Sequence, residues 1–338
     1  MNSEPAFKSI FINEFRPGNS TEQIDDKIVY HYTSANAFLS ILREESIRFS
    51  DIRYMNDRSE TVFCAKRLIE FVTEYKENYP FFRDAVNELL SENAYDQILK
   101  LNVNKIIYKE FSGFKIPRQR TFIFCTSEDA DSLNMWNYYA SNGMYTGYNI
   151  GLSVKDFLKT FDVEETQEVN GFIVFYGHVL YTKKKQFNAI EELAQTIEKF
   201  SSYGKTEQHK MRAAIAIRQY IELRGPFFKD NSFKSENEYR FLISIAEKRI
   251  PHNNNEAQKY FGQYNKKLCE GFCERRGLIV PYMQVAIPEN SINRITMSPM
   301  MEYEIAKSSI KELLKIKGIQ SIKKTEVPIH KSRIPIRF

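Results

Sequence analysis

The first sustained pattern in the chain is Ile28 to Thr33, IVYHYT, a β-branched and aromatic run of strand length. Alternation puts Val29, His31 and Thr33 on one face and Tyr30 and Tyr32 on the other. Ser34 follows where it can cap a helix whose apolar residues Ala37, Phe38, Ile41 and Leu42 share a side, and Ile47 to Ser50 returns as a short strand. From Thr61 to about Phe111 the apolar period is helical, with Val62, Phe63, Leu68, Ile69 and Val72 in step and a break near Pro80. TFIFCT at 121 to 126 predicts a strand. Residues 131 to 140 predict a short helix on which Met135, Trp136 and Tyr139 cluster, and 148 to 152 a strand closed by Ser153.

β character continues over 171 to 181. Residues 186 to 224, rich in Glu, Ala, Gln, Lys and Arg, predict one or two helices ending before Gly225 and Pro226. Beyond them lie strands at 238 to 245, 279 to 287 and 292 to 297, a helix at about 303 to 316 and a terminal strand near 325 to 330. Strands outnumber crossover helices, which predicts an α+β fold with a mixed, mainly antiparallel sheet over a doubly wound parallel one. Residues 1 to 27 show no sustained period and read as an arm. The expected organisation is one α+β domain over 28 to 338, carrying helical insertions at about 61 to 118 and 186 to 230.

Composition narrows the class without naming a chemistry. At 338 residues and 42% hydrophobic side chains the chain can bury a full core. The opening MNSEPAFKSIFINEF lacks the basic patch and apolar run of a signal peptide, and no window approaches the ~20 apolar residues of a bilayer span, so no membrane partner is expected. Four cysteines are too few for a disulfide framework, which points to a reducing, cytoplasmic compartment. Cys269 and Cys273 would share a face of a helix, but no histidine stands at zinc-site spacing, so no metal is expected. The net charge of +5 permits a phosphate-bearing or nucleic-acid partner without requiring one. No GxxxxGK[ST], GxGxxG, HExxH or GxSxG pattern is present.

Several residues could carry chemistry, each with a plainer alternative. His31, inside a strand, either bonds a backbone carbonyl or serves a ligand. Glu236, Glu238 and Arg240 of SENEYRFLIS would share one strand face, as a surface ion-pair ladder or as a site where Arg240 holds a carboxylate against developing positive charge on a sugar. Asn56, Asp57 and Glu60 in RYMNDRSE enter a helix as caps or site residues. Trp136 is core or ligand platform, and Ser127 bonds a ligand or caps the next helix.

Six ordered blocks, YHYTS at 30 to 34, NDRSE at 56 to 60, FCTS at 124 to 127, WNYYA at 136 to 140, ENEYR at 236 to 240 and SRIPIR at 332 to 337, resemble bacterial domain-of-unknown-function family 2971. The strand bearing HYT, its helix and the short second strand more distantly resemble the opening of the ADP-ribosyltransferase fold. That resemblance implies NAD as substrate, with His31 holding a ribose hydroxyl, Glu238 as catalytic carboxylate and Glu236 as its partner. It also implies Tyr32, Thr33, Ser127 and Arg240 as dinucleotide-binding residues, and an aromatic on the nicotinamide drawn from Tyr32, Tyr54 and Tyr139. A transferase acting on a protein or nucleic-acid acceptor follows, with a toxin or phage-defence effector as its setting. The same pocket giving the ribosyl group to water would make an NAD glycohydrolase. A third expectation is a binding module for a nucleotide or nucleic-acid end, served by Arg48, Arg53, Arg58, Arg118 and Arg120 with nearby aromatics.

Overall fold

The computed structural model describes residues 27–55, 59–75, 77–90, 119–140, 145–161, 172–201, 206–261, 267–275, 277–288, 290–321 and 325–336. Residues 1 to 26 of the arm expected over 1 to 27, and the stretch 91 to 118, lie outside them. Two compact units divide the chain, one drawn from Met55–Arg118 and His178–Lys234, the other from Ser20–Tyr54, Gln119–Gly177 and Ser235–Phe338.

Among the described residues the second unit has ten strands: β1 (Ile28–Thr33), β2 (Ser46–Asp51), β3 (Gln119–Ser127), β4 (Tyr148–Ser153), β5 (Phe172–His178), β6 (Glu238–Ala246), β7 (Cys269–Arg275), β8 (Leu278–Ala286), β9 (Ile292–Met297) and β10 (Ile329–Lys331). Their order is β10-β9-β4-β1-β3-β2-β8-β7, with β6 pairing both β3 and β5. The registered pairs are antiparallel except β10 with β9, so the sheet is mixed and mainly antiparallel and the fold is α+β.

β3 is the branch point. One edge pairs with β6 from Gln119↔Ala246 to Ser127↔Glu238. The other edge is shared between β2, at Ser50↔Ile123 and Asp51↔Phe122, and β1, at Tyr30↔Ser127. Because directly opposed residues of an antiparallel pair point the same way, this register sorts the side chains into two faces. Phe124 opposes Phe241, and these rings pack with Phe49 and Phe157 in the main core with Val29, Ile243, Met283 and Ile295. The opposite face carries Tyr30, Ser127 and Glu238 in one row and Cys125 opposite Arg240.

Local chemistry explains the element ends. The Ser34 hydroxyl accepts from the Ala37 amide at the start of helix Ala35–Glu44, and the Ser153 hydroxyl accepts from Asp156 N at 3.2 Å to start Val154–Leu158. Gly147 has φ +156, and a Cβ there would meet the Thr33 carbonyl at 2.5 Å and the Ala140 carbonyl at 2.8 Å, so only glycine lets the chain close against β1. Cys269 and Cys273 lie on a strand, not the helix considered for them, and the four cysteines, all among the described residues, form no disulfide. The terminal strand is shorter than expected, three residues at Ile329–Lys331. No helix among the described residues is long and apolar enough to cross a membrane.

In the other unit the two predicted helical blocks pack on each other. Helices Ser59–Glu74, Pro80–Leu89, Lys183–Ser201 and Glu207–Arg224 bury Leu68, Phe71, Phe82, Val86, Ile190, Leu193, Ile197 and Ile217. Pro80 opens its helix at a position where no backbone donor is needed, and the Glu198 carboxylate accepts from the next two amides, Phe81 N at 3.3 Å and Phe82 N at 3.1 Å. This cap comes from a helix distant in sequence, so it couples the blocks. Glu198→Ala is therefore expected to destabilise this unit by about 1 kcal/mol, within the usual range for a lost N-cap; chemical denaturation followed by far-UV circular dichroism checks it, and an unshifted midpoint would show that the carboxylate contributes nothing.

Candidate functional site

β6 begins at Glu238, and all nine of its residues are buried. The Arg240 guanidinium grips the Glu238 carboxylate on both oxygens, Nε to Oε2 at 2.6 Å and Nη2 to Oε1 at 3.0 Å. With Arg240 1% and Glu238 4% exposed, the pair is not the surface ladder that alternation alone allowed. Glu236 does not continue the strand. It ends the 3₁₀ turn Asn231–Glu236, and Asn237 between the two acids takes a left-handed φ of 43°, so strand alternation stops at Glu238. Glu236 is buried all the same, and the Tyr139 hydroxyl lies 3.4 Å from its Oε1.

Tyr139 reaches this place through an irregular helix. Leu133–Met135 runs into a π-helical turn, Trp136–Ala140. The wider turn takes Tyr139 out of the cluster expected with Met135 and Trp136, whose actual companions are Tyr32 and Ala140. Trp136 is a core residue, its ring edge-on to Tyr32 at 4.7 Å. Tyr139 stays 43% exposed, and burial of its hydroxyl end, then the Glu236 and Glu238 charges, push its pKa up.

The loop 128 to 132 that closes this face is pinned from several directions. Tyr32 donates its hydroxyl proton to the Asp129 carbonyl at 2.7 Å and accepts from Ser132 N at 3.0 Å. Asn149 Nδ2 donates to the Ala130 carbonyl at 2.6 Å, and Asn237 Nδ2 to Asp129 Oδ1 at 3.1 Å. Asp131 accepts from Trp136 Nε1, the Ser332 hydroxyl and Arg333 N, each at 2.7 Å, joining the π turn to the closing SRIPIR block. The sequence signalled that block as a motif, but not that Asp131 is what it holds.

The remaining predicted residues are placed as follows. Ser127 spends its hydroxyl on the protein, donating to the Glu236 carbonyl at 2.8 Å and accepting from Asp129 N at 3.1 Å. Tyr32 is buried with its hydroxyl engaged, and Thr33 is buried opposite Tyr148. His31 faces the main core, with its ring 4.7 Å from Phe124, so the register sets it on the opposite face from Glu238. Its Nδ1–H donates to the Cys125 carbonyl at 3.2 Å, and burial lowers its pKa to about 4. The imidazole is neutral near pH 7, with Nε2 as its acceptor.

Tyr54 is exposed beside the Arg53 guanidinium. Arg53 and Arg120 both grip the buried Asp51 carboxylate, Arg120 also pairs with Glu270, and Arg48 lies over the Tyr282 ring. These arginines therefore serve internal contacts first. Arg58 and Arg118 lie outside the described residues, as do Asn56 and Asp57. Glu60 falls in the first turn of Ser59–Glu74, with its side chain outside the description. Among the described residues no group of three or more His, Cys, Asp and Glu is placed to hold a metal ion.

Two outcomes follow. Trp136 is the one tryptophan of the chain, so Asp131→Ala should shift its fluorescence and cost roughly 1 to 3 kcal/mol by orphaning a buried indole N–H; unchanged emission and stability would remove Asp131 from its linking role. His31 binds protons more tightly unfolded, near its ordinary 6.5, than folded, at about 4. Its contribution is thus fully present above pH 6.5 and lost as pH falls toward 4. Denaturation midpoints over that window should fall less steeply in His31→Gln than in wild type, and identical slopes would show that His31 is not buried neutral.

Glu236, Glu238 and Arg240 thus meet Tyr139 beside a braced loop, while His31 supports the sheet from behind. No curated protein and no solved structure matches the chain. Residues 135–241 match the family model described as protein of unknown function (DUF2971), a span that begins just before Trp136 and ends just after Arg240. Over that span the chain is similar to that family.

Proposed function

We propose that the Glu236–Glu238 site breaks the glycosidic bond of NAD and transfers ADP-ribose to a macromolecular acceptor, as an ADP-ribosyltransferase-like enzyme. The observation that carries this reading is the Glu238 carboxylate, oriented through both oxygens by Arg240 and set beside a second buried carboxylate and a half-exposed tyrosine.

The chemistry asks for such a group. When the bond between C1′ of the ribose and the nicotinamide nitrogen breaks, its electron pair goes to the ring, which leaves neutral, and positive charge develops on the ribosyl C1′ and ring oxygen. A fixed carboxylate in a low-dielectric site stabilises that charge. In this reading Glu238 is the stabilising carboxylate. Glu236 takes the proton from the acceptor as its nucleophile bonds C1′, and Tyr139 is the aromatic surface for the nicotinamide. His31 positions the sheet through Cys125, opposite Arg240, in place of the ribose contact that the resemblance implied. The setting proposed is a toxin or phage-defence effector, on the resemblance alone.

Nicotinamide release from NAD, with labelled ADP-ribose followed onto protein or nucleic acid, tests the reading. Glu236→Gln and Glu238→Gln should each lower turnover by about 100-fold or more, and Tyr139→Ala should chiefly raise KM. Glu238→Gln also weakens the two charge-assisted bonds from Arg240, so the stability of both variants is measured alongside. Full turnover in a folded Glu238→Gln variant would sink the proposal, and label appearing only as free ADP-ribose would replace transfer by hydrolysis.

A further inference from the structure

The face that carries Glu238 extends across five strands. Register aligns Arg294 on β9, Gly151 on β4, Tyr30 on β1, Ser127 on β3 and Glu238 on β6 in one transverse row. At about 4.8 Å per strand the row spans roughly 19 Å between its end residues. The next row holds Thr296, Asn149 and Tyr32, with His330 on β10 opposite Thr296.

Gly151 makes a notch in this surface. A Cβ there would meet Tyr30 Cε1 at 3.0 Å and Arg294 Cγ at 3.2 Å, so the missing side chain is what lets the arginine lie across β4. Its guanidinium rests 4.8 Å from the centre of the Tyr30 ring. Arg294 Nε is buried with no hydrogen-bond partner, and among the described residues no carboxylate pairs with this arginine. On the same face Thr296 Oγ1 and Asn149 Oδ1 are also buried with no partner, although Asn149 uses its amide nitrogen on the Ala130 carbonyl. Buried polar atoms normally have partners, and three orphans on adjacent strands of one face mark a place that lacks one. Burial, and then the Arg294 and Arg333 charges, lower the pKa of His330, so three basic side chains share this corner. His330 and Arg333 are exposed and Arg294 half-buried, while Thr296 and Asn149 are buried, so the basic side chains of the corner meet solvent and its orphaned atoms lie inside.

We propose that Arg294, stacked on Tyr30 across the Gly151 notch, is the anchor of a phosphate-binding site completed by Thr296 and His330. A planar fork with free N–H donors, a hydroxyl and an imidazole supply the donors that a phosphate or diphosphate requires, without a metal. The site shares its row with Glu238, which places it to hold the diphosphate of a dinucleotide whose reacting end lies at the carboxylates. That last assignment rests on the reading given under Proposed function; the phosphate site does not.

The probe is inorganic diphosphate, titrated calorimetrically at low salt into wild type, Arg294→Ala, Arg294→Lys and Gly151→Ala, with NAD titrated in parallel. Wild type should bind diphosphate with an affinity that weakens as salt rises. Arg294→Ala should lose 10-fold or more. Arg294→Lys, which keeps the charge but not the fork, should fall between, and Gly151→Ala should weaken binding by pushing the arginine off Tyr30. Equal diphosphate affinity in folded Arg294→Ala and wild type, or no binding to wild type, overturns the site. Diphosphate binding that depends on Arg294 without NAD binding keeps the site and removes the dinucleotide reading; NAD affinity indifferent to Arg294 keeps the phosphate site but separates it from the dinucleotide.

Discussion

Glu238 and Arg240 sit two residues apart on a strand with no exposed residue, and much of the second unit is arranged around that fact. Withdrawing two full charges from water costs several kcal/mol per ion unless geometry and extra hydrogen bonds compensate. The two-point grip of guanidinium on carboxylate meets part of the requirement. The rest falls on the surroundings, which explains why polar residues gather where a strand of this burial would otherwise be lined by aliphatic ones. Ser127, opposite Glu238, turns its hydroxyl to the Glu236 backbone, and Tyr139 brings its own toward the Glu236 carboxylate.

The braced loop after β3 follows from the same demand. Its backbone carbonyls and the Asp129 and Asp131 side chains accept from β1, β4, the turn at Asn237, the π turn and the closing segment. Each contact is worth about 1 kcal/mol alone, but together they fix the relative positions of five segments that come from widely separated parts of the chain. A site held this way is preorganised, which is what charge stabilisation without reorganisation requires.

Two readings of the same sheet face now stand side by side, a carboxylate end on β6 and a basic end on β9. They are joined by a row of small or aromatic residues, Ser127, Tyr30 and Gly151. An elongated ligand with a cationic ring at one end and phosphates further along matches that polarity. Gly151 has no side-chain chemistry of its own, yet its missing Cβ leaves the room in which Arg294 lies.

Much of the fold was legible from residue pattern. The bounds of β1, the Ser34 cap, the helical blocks around Pro80 and the mixed strand-rich topology all follow from alternation, capping and helical period, which act over a few residues. The candidate acids were visible too, because ENEYR is an unusual thing to find at the head of an apolar strand. What the pattern did not carry was everything set by register and burial between distant segments. Alternation placed His31 on the face of Val29, but only the Tyr30↔Ser127↔Glu238 pairing shows that face to be opposite the carboxylates. The π turn that frees Tyr139, the left-handed Asn237 and the convergence on Asp131 likewise depend on contacts across the chain. Local sequence determined which elements form and which side of each is apolar; only the tertiary structure decided which polar residues meet, because that is fixed by strand pairing and by the need to satisfy charges once they are buried.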